Sequence, residues 1–136
     1  MSTRDGRLPA GISPRFTRHL DRPCNVGRLE RPHGQAELTG TCGDSIGVQI
    51  AVRDGALEQV AVQPRGCAYT LACASAVSVL AQGRTLDAAL ELSPEDVAAE
   101  LGGLPEDHAH CARLAVNTLG EAIAEYFRAE SVARAS

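Results

Sequence analysis

The sequence predicts an α+β domain in which a three-stranded antiparallel sheet packs against several helices. Residues 35–66 contain three short strand-like runs, and the Asp54-Gly55 turn signal separates the second run from the third. From residue 67 onward, apolar residues recur at helical spacing. Strands that come first and helices that follow are typical of α+β proteins, and 136 residues suit one domain with one core.

The chain starts with a predicted short helix, PRFTRHLD (14–21), which stops before Pro23 and leads into a loop rich in proline and glycine. The predicted strands are QAELTG, SIGVQIAVRDG and ALEQVAVQPRG, residues 35–40, 45–55 and 56–66. Aspartate and glycine tolerate the positive φ of a tight hairpin turn. Asp54-Gly55 therefore predicts a hairpin between the second and third strands, and an antiparallel sheet.

Helices are predicted from residue 67 to the end of the chain. The first covers CAYTLACASAVSVLAQG (67–83) and ends near Gly83, and TLDAALEL (85–92) follows. The next begins at Ser93 as N-cap, with proline at the first helical position. In the last helix one face is apolar and carries Ala112, Ala115, Val116, Leu119, Ile123 and Tyr126.

Composition excludes several classes of function. No apolar run approaches the length of a membrane span, and the N-terminus has no signal-peptide apolar region. All 13 basic residues are arginine, which we interpret as bacterial composition bias. Five cysteines without a secretion signal indicate a reducing cytoplasm, with thiols free or bound to metal.

Charge is distributed unevenly along the chain. Residues 1–31 carry seven arginines and three acids (7 − 3 = +4), and the remainder carries six arginines and 14 acids (6 − 14 = −8). The basic segment is either a means of steering an acidic protein partner or a solvated mobile tail. An acidic body with few aromatic residues argues against nucleic acid. We predict a flexible arm at 1–15, a domain at 16–130 and a tail at 131–136.

Three cysteines fall where predicted elements begin or end. Cys42 precedes a strand, Cys67 starts a helix, and Cys111 lies in the first turns of the last helix. Three thiolates with Asp44 or His110 make a four-ligand set that suits zinc or an iron–sulfur cluster. The intervals of 25 and 44 residues match no common zinc finger, so the spacing leaves ordinary buried cysteines as an equal alternative.

The other two cysteines fit different roles. Cys73 shares a helix face with Val77 and is expected in the core, whereas Cys24 lies in a loop and is interpreted as a bystander thiol. A helix N-terminus lowers the pKa of a thiol, an expectation that fits Cys67 best and Cys111 less well.

The remaining histidines are not expected in a site. His19 and His33 have no motif spacing and are interpreted as solvated, and His108 is expected at the surface because helical rotation turns it away from His110. A cysteine-nucleophile enzyme is disfavoured, since adjacent His110 and Cys111 point about 100° apart on a helix. A purely structural zinc site would prefer a fourth Cys or His over an aspartate.

Three blocks together carry a family resemblance: TCGDSIGVQI, GCAYTLACASAVSVLAQGRTLDAAL and HCARLAVNTLGEAIAEY. They resemble the signature blocks of the IscU/NifU N-terminal family, the scaffold proteins of iron–sulfur cluster assembly. HLDRPCNVGRL is similar to that family's Pro-x-Asn-Val-Gly segment. The similarity runs from about residue 16 to 128, in order and with nearly the family's spacing.

The resemblance implies a non-enzymatic scaffold with a compact α+β fold. It implies a transient [2Fe–2S] cluster on Cys42, Cys67 and Cys111, with Asp44 or His110 as fourth ligand. A cysteine desulfurase would deliver sulfur to Cys111 or Cys42, and acceptor apoproteins would receive the cluster. Fe²⁺ and electrons would come from other proteins, with a frataxin-like protein and a ferredoxin as candidates. The alternative is a Zn²⁺-binding sulfur acceptor that stimulates a desulfurase through the same site.

Two departures from the family pattern bear on partners and on the branch of the family. LPEDH (104–108) stands where the Isc-type scaffold has Leu-Pro-Pro-Val-Lys, which argues against a dedicated Hsp70-type chaperone. The interval between Cys67 and Cys111 leaves no room for the insertion of the SufU branch.

A carboxylate binds cluster iron more weakly than a thiolate would, so Asp44 is expected to keep the cluster labile.

Overall fold

The computed structural model describes residues 13–135 and confirms the α+β fold. The elements in chain order are α1 (Pro14–Asp21), β1 (Gly34–Thr39), β2 (Ser45–Arg53), β3 (Ala56–Arg65), α2 (Ala68–Ala81), α3 (Leu86–Leu90), α4 (Pro94–Glu100), a 3₁₀ turn (Glu106–His108) and α5 (Ala109–Ala135). Residues 1–12 of the expected arm lie outside the described residues. The domain boundaries stay predictions.

The three strands form one antiparallel sheet in the order β1-β2-β3. Asp54 and Gly55 take φ of 54° and 76° between the paired residues Arg53 and Ala56, so they form the two-residue hairpin turn that the sequence predicts. A bulge interrupts the register of β2 and β3 near Ala51. The antiparallel pairing of β1 with β2 places the loop between them, residues 40–44, at one end of the sheet.

Side-chain caps fix the starts of three helices. Ser13, Thr85 and Ser93 each accept a hydrogen bond from a backbone N–H in the first turn of α1, α3 and α4. The Ser93 cap is reciprocal, because the Asp96 side chain accepts from the backbone N–H of Ser93. The helix predicted at 67–83 ends at Ala81, two residues before Gly83. These local signals account for helix boundaries that the sequence already indicates.

The helices bury one core against the sheet. α5 packs on β1 and β2, while α2 packs on β3 and on α5. The fully buried large side chains include Phe16, Ile46, Ile50, Leu57, Leu101, Leu119 and Ile123. Val62, in β3, pairs through its backbone with Asn25 and Gly27, so the loop before β1 lies along the outer edge of β3. Among residues 13–135, no helix is long and apolar enough to cross a bilayer.

The expectation for His19 was wrong. Its side chain is buried, with Nδ1 2.7 Å from the Ser75 hydroxyl and Nε2 3.1 Å from a Glu100 carboxylate oxygen. Helix α1 is amphipathic and turns His19 toward α2 and α4, a contact that no local spacing reveals. His33 is exposed as expected, although its Nδ1 accepts a hydrogen bond from the Val52 N–H. Cys73 is fully buried, which confirms its core role, and the pKa of its thiol is raised by burial.

Candidate metal centre

The three candidate cysteines lie at one end of the molecule, each on a different element. Cys42 is exposed in the β1–β2 loop, Cys67 is the exposed N-cap residue of α2, and Cys111 is buried in the first turn of α5. A continuous chain of contacts through Thr70 and His110 links the three thiols. The predicted placement at element ends is confirmed. Their role as ligands stays a prediction.

Asp44 is held against the start of α2. Its Oδ2 accepts a 2.6 Å hydrogen bond from the Thr70 hydroxyl and a 3.3 Å bond from the backbone N–H of Cys67. The Thr70 bond first, and then the Cys67 amide, hold the pKa of Asp44 below its usual value. The carboxylate is therefore ionised at neutral pH and sits where the dipole of α2 favours negative charge.

Gly66 makes this position of Asp44 possible. A Cβ at residue 66 would lie 2.4 Å from Cγ and 2.5 Å from Oδ2 of Asp44. Those separations are more than 1 Å shorter than an ordinary carbon contact of about 3.5 Å. Only glycine lets the carboxylate approach the backbone at the start of α2.

Thr70 is a site residue that the sequence analysis missed. It is fully buried, and its hydroxyl oxygen lies 3.6 Å from the sulfurs of both Cys67 and Cys111 while its O–H donates to Asp44. The residue stands three positions after Cys67, and this helical spacing is the signal that could have revealed it. Thr70 thereby joins two candidate thiol ligands to the carboxylate.

Cys111 differs from the two exposed thiols. Its residue is 1% exposed, and burial raises the pKa of its thiol to about 11, although the contact with Thr70 lowers it. The expected lowering of the thiol pKa is thus not found at Cys111, because desolvation is the largest effect on this thiol. In the metal-free protein the Cys111 thiol is protonated at neutral pH, and binding of a metal would release that proton.

His110 contacts two of the cysteines. Its Nε2 lies 3.4 Å from the sulfur of Cys42 and 3.6 Å from that of Cys111. The expectation of a poor His110–Cys111 contact was therefore wrong. A 100° rotation separates their Cβ atoms, but the long imidazole at the start of α5 still brings its Nε2 to the neighbouring sulfur.

His108 was also misassigned as a surface residue. It is partly buried and stacks on Tyr69, with ring centroids 3.6 Å apart and an interplanar angle of 11°. A donor nitrogen of His108 and the sulfurs of Cys67 and Cys111 all lie within 4.8 Å of one another. His108 ends the 3₁₀ turn, so the assumption of continuous helix from His108 to His110 does not hold. Its spacing of three from Cys111 was the overlooked signal.

The assembled donor set suits a thiophilic transition metal. Three cysteine sulfurs, two imidazoles and one carboxylate are the ligand types that bind zinc and iron–sulfur clusters. Two of the thiols are open to solvent and one is buried, so a metal or cluster bound here would be reached from the side of Cys42 and Cys67.

Comparisons with known proteins find relatives by sequence and by fold. The sequence model of a family described as NifU-like N terminal domain matches residues 13–133. The iron–sulfur cluster assembly scaffold protein IscU 1 of Archaeoglobus fulgidus is 38% identical over 111 residues, which cover 81% of this chain and 72% of that protein. The iron–sulfur cluster assembly scaffold protein IscU of Aquifex aeolicus is 34% identical, covering 79% and 71%.

Solved structures share the fold. The crystal structure of a nitrogen-fixing NifU-like protein (N-terminal) from Brucella abortus aligns with a TM-score of 0.67. The alignment covers 85% of this chain and 94% of that chain at 20% sequence identity.

Proposed function

The chain belongs to the NifU-like N-terminal domain family, and from this premise we propose that it is a scaffold for de novo iron–sulfur cluster assembly. The observation that carries the proposal is the meeting of Cys42, Cys67 and Cys111 at one end of the fold, beside a carboxylate and two imidazoles. Relatives named as scaffold proteins point to a non-enzymatic role. We expect no turnover of its own.

The cluster is the cargo of this scaffold. We propose that a [2Fe–2S] cluster binds to Cys42, Cys67 and Cys111, with Asp44 or His110 as the fourth ligand. Asp44 accepts both of its hydrogen bonds through Oδ2, so iron would bind a carboxylate that Thr70 and Cys67 already hold. The Asp44 carboxylate is therefore proposed as a weak ligand of iron, which lets the cluster leave. Asp44→Ala is expected to lengthen the lifetime of the bound cluster, and a shortened lifetime would count against this role.

Sulfur delivery is assigned to Cys42 rather than Cys111. Cys42 is exposed and its sulfur lies 3.4 Å from Nε2 of His110, a base that can take the thiol proton. Cys111 is buried and its thiol pKa is raised, so little thiolate forms there. A desulfurase persulfide is the proposed donor.

The transfer step is a thiol exchange. The Cys42 thiolate attacks the terminal sulfur of the desulfurase persulfide, and a new S–S bond forms as the donor's S–S bond breaks. The desulfurase leaves as a thiolate, and Cys42 becomes the persulfide without net oxidation. Reduction of that sulfur to sulfide takes two electrons, for which a ferredoxin is the proposed source. A frataxin-like protein is a candidate iron donor, and acceptor apoproteins take the finished cluster.

The test is anaerobic reconstitution followed by visible absorption and circular dichroism. The protein is mixed with a cysteine desulfurase, cysteine, Fe²⁺ and a reductant, alongside Cys42→Ala and Cys24→Ala. Sulfide-to-iron charge-transfer bands are expected in wild type and in Cys24→Ala, whose lost thiol lies outside the site, and not in Cys42→Ala. Absence of the bands in wild type would refute the scaffold function.

The second candidate is a Zn²⁺-bearing sulfur acceptor that stimulates a desulfurase through the same residues. The close grouping of Cys67, His108 and Cys111 favours a single ion and is the observation behind this candidate. Stoichiometric zinc in the purified protein, together with failure of reconstitution, would select it. Under either candidate we propose a bacterial protein that works in the cytoplasm.

A further inference from the structure

His108 lies beside two cysteine sulfurs, where it could act as a metal ligand. Its donor nitrogen and the sulfurs of Cys67 and Cys111 lie within 4.8 Å of one another. Its Nδ1 is shielded from solvent and has no hydrogen-bond partner among residues 13–135. A buried nitrogen without a partner is unfavourable, and stacking on Tyr69 keeps the ring in this place.

The two side chains expected to supply the fourth ligand already make polar contacts within the site. Asp44 Oδ2 is bonded to the Thr70 hydroxyl and to the backbone N–H of Cys67. His110 Nε2 lies between the sulfurs of Cys42 and Cys111. By contrast, Nδ1 of His108 has no hydrogen-bond partner among residues 13–135, and the ring lies beside two thiols.

We propose that Cys67, His108 and Cys111 form a three-ligand site for a single Zn²⁺ or Fe²⁺ ion, with His108 as its imidazole ligand. Donor atoms on a tetrahedral zinc, at about 2.0–2.3 Å from the ion, are roughly 3.5 Å apart. Donors that start within 4.8 Å of one another reach this spacing through movements of about 1 Å. An ion held by these three residues would keep a fourth position for another ligand, as in zinc sites that exchange ligands.

The site separates the metal from the sulfur acceptor. Cys42 is outside the three-ligand set and is exposed beside His110, so its thiol remains free while the ion is bound. This inference deepens the proposed function, on which it rests: metal is held on the α2–α5 side of the site, and sulfur arrives on the β1–β2 loop.

The first experiment measures Zn²⁺ affinity by competition with a chromophoric chelator. His108→Phe preserves the aromatic stack on Tyr69 and removes the donor nitrogen, and His33→Phe is the matched control at an exposed histidine. Loss of a ligand should weaken Zn²⁺ binding at least as much as loss of an outer-shell partner, about tenfold or more. His33→Phe should bind like wild type, and His108→Cys should recover affinity by supplying a thiolate.

The outcomes of that experiment are decisive in both directions. Wild-type Zn²⁺ affinity in His108→Phe would overturn the inference. So would loss of affinity in His110→Phe with none in His108→Phe, because the imidazole ligand would then be His110.

The second experiment uses the wild-type chain and needs no variant. Cys42 and Cys67 are both exposed, so their rates of alkylation by iodoacetamide can be compared by mass spectrometry with and without Zn²⁺. Zn²⁺ should slow alkylation of Cys67 at least tenfold and leave that of Cys42 nearly unchanged. Equal protection of both thiols would overturn the inference, whereas failure of the scaffold function would show separately, as absent cluster bands in wild type.

Discussion

Replacing Gly66 with alanine should displace the Asp44 carboxylate and destabilise the fold. The new Cβ would lie 2.4, 2.5 and 2.8 Å from Cγ, Oδ2 and Cβ of Asp44. An ordinary carbon contact is about 3.5 Å, so the side chain must retreat by about 1 Å. That movement breaks the 2.6 Å hydrogen bond that the Thr70 hydroxyl donates to Oδ2.

The magnitude follows from overpacking, and a second glycine supplies the control. Extra methyl groups in a tightly packed place typically cost about 1–3 kcal/mol of unfolding free energy. Gly27 has φ of +150°, close to the +156° of Gly66, but a Cβ there would have nothing within 4 Å. Gly27→Ala therefore carries the same backbone strain without the contact. We expect Gly66→Ala to be less stable than Gly27→Ala by about 1–3 kcal/mol.

Two measurements check this reasoning. Urea unfolding of the metal-free variants gives the stability difference, read from the midpoints at unchanged slope. An NMR pH titration of the Asp44 carboxyl should show its pKa in Gly66→Ala moving back up toward the usual value, because the Thr70 bond that lowers it is lost. Equal midpoints for the two alanine variants, with an unchanged pKa of Asp44, would refute the close approach.

A double-mutant cycle isolates the contact. Asp44→Ala removes Cγ and Oδ2, so only the 2.8 Å approach to its Cβ remains. Gly66→Ala should therefore cost less in the Asp44→Ala background than in wild type. The same cost in both backgrounds would mean that the strain lies in the backbone of residue 66.

Three further predictions concern pH, packing and metal. Burial raises the folded-state pKa of the Cys111 thiol to about 11. The stability that the protonated thiol gives the metal-free protein is therefore complete below about pH 8.5 and lost as pH rises through 11. In urea titrations over that pH range, Cys111→Ala should lose less stability than wild type. Phe16→Ala should lower the free energy of unfolding by about 3–5 kcal/mol, because Phe16 is 1% exposed. The control Phe127→Ala changes a side chain that is 44% exposed and should lower it by about 0.5 kcal/mol or less, as measured by thermal unfolding. Equal losses in the two variants would contradict the packing of α1. Zn²⁺ at a hundred times its Kd should stabilise the fold by about 2.7 kcal/mol. Identical Tm values with and without metal would show that the folded protein does not bind the ion in preference to the unfolded chain.

Local sequence signals account for most of the fold. Asp54-Gly55 could be read as a hairpin and Ser93 as an N-cap because each acts through neighbouring backbone atoms. His19 could not be placed in this way. Its partners, Ser75 and Glu100, are 56 and 81 residues away, and only the packing of α1 against α2 and α4 brings them together.

The candidate site was predictable in its thiols and less so in the residues around them. Cys42, Cys67 and Cys111 stand at element ends, which converge at one end of a layered domain. Thr70 and His108 were missed, yet each stands three residues from a cysteine of the site, after Cys67 and before Cys111. Residues three apart are neighbours on a helical turn. A polar residue three positions from a site cysteine is therefore a candidate for the same site. The position of His108 depends on its spacing from Cys111 and not on its rotation relative to His110.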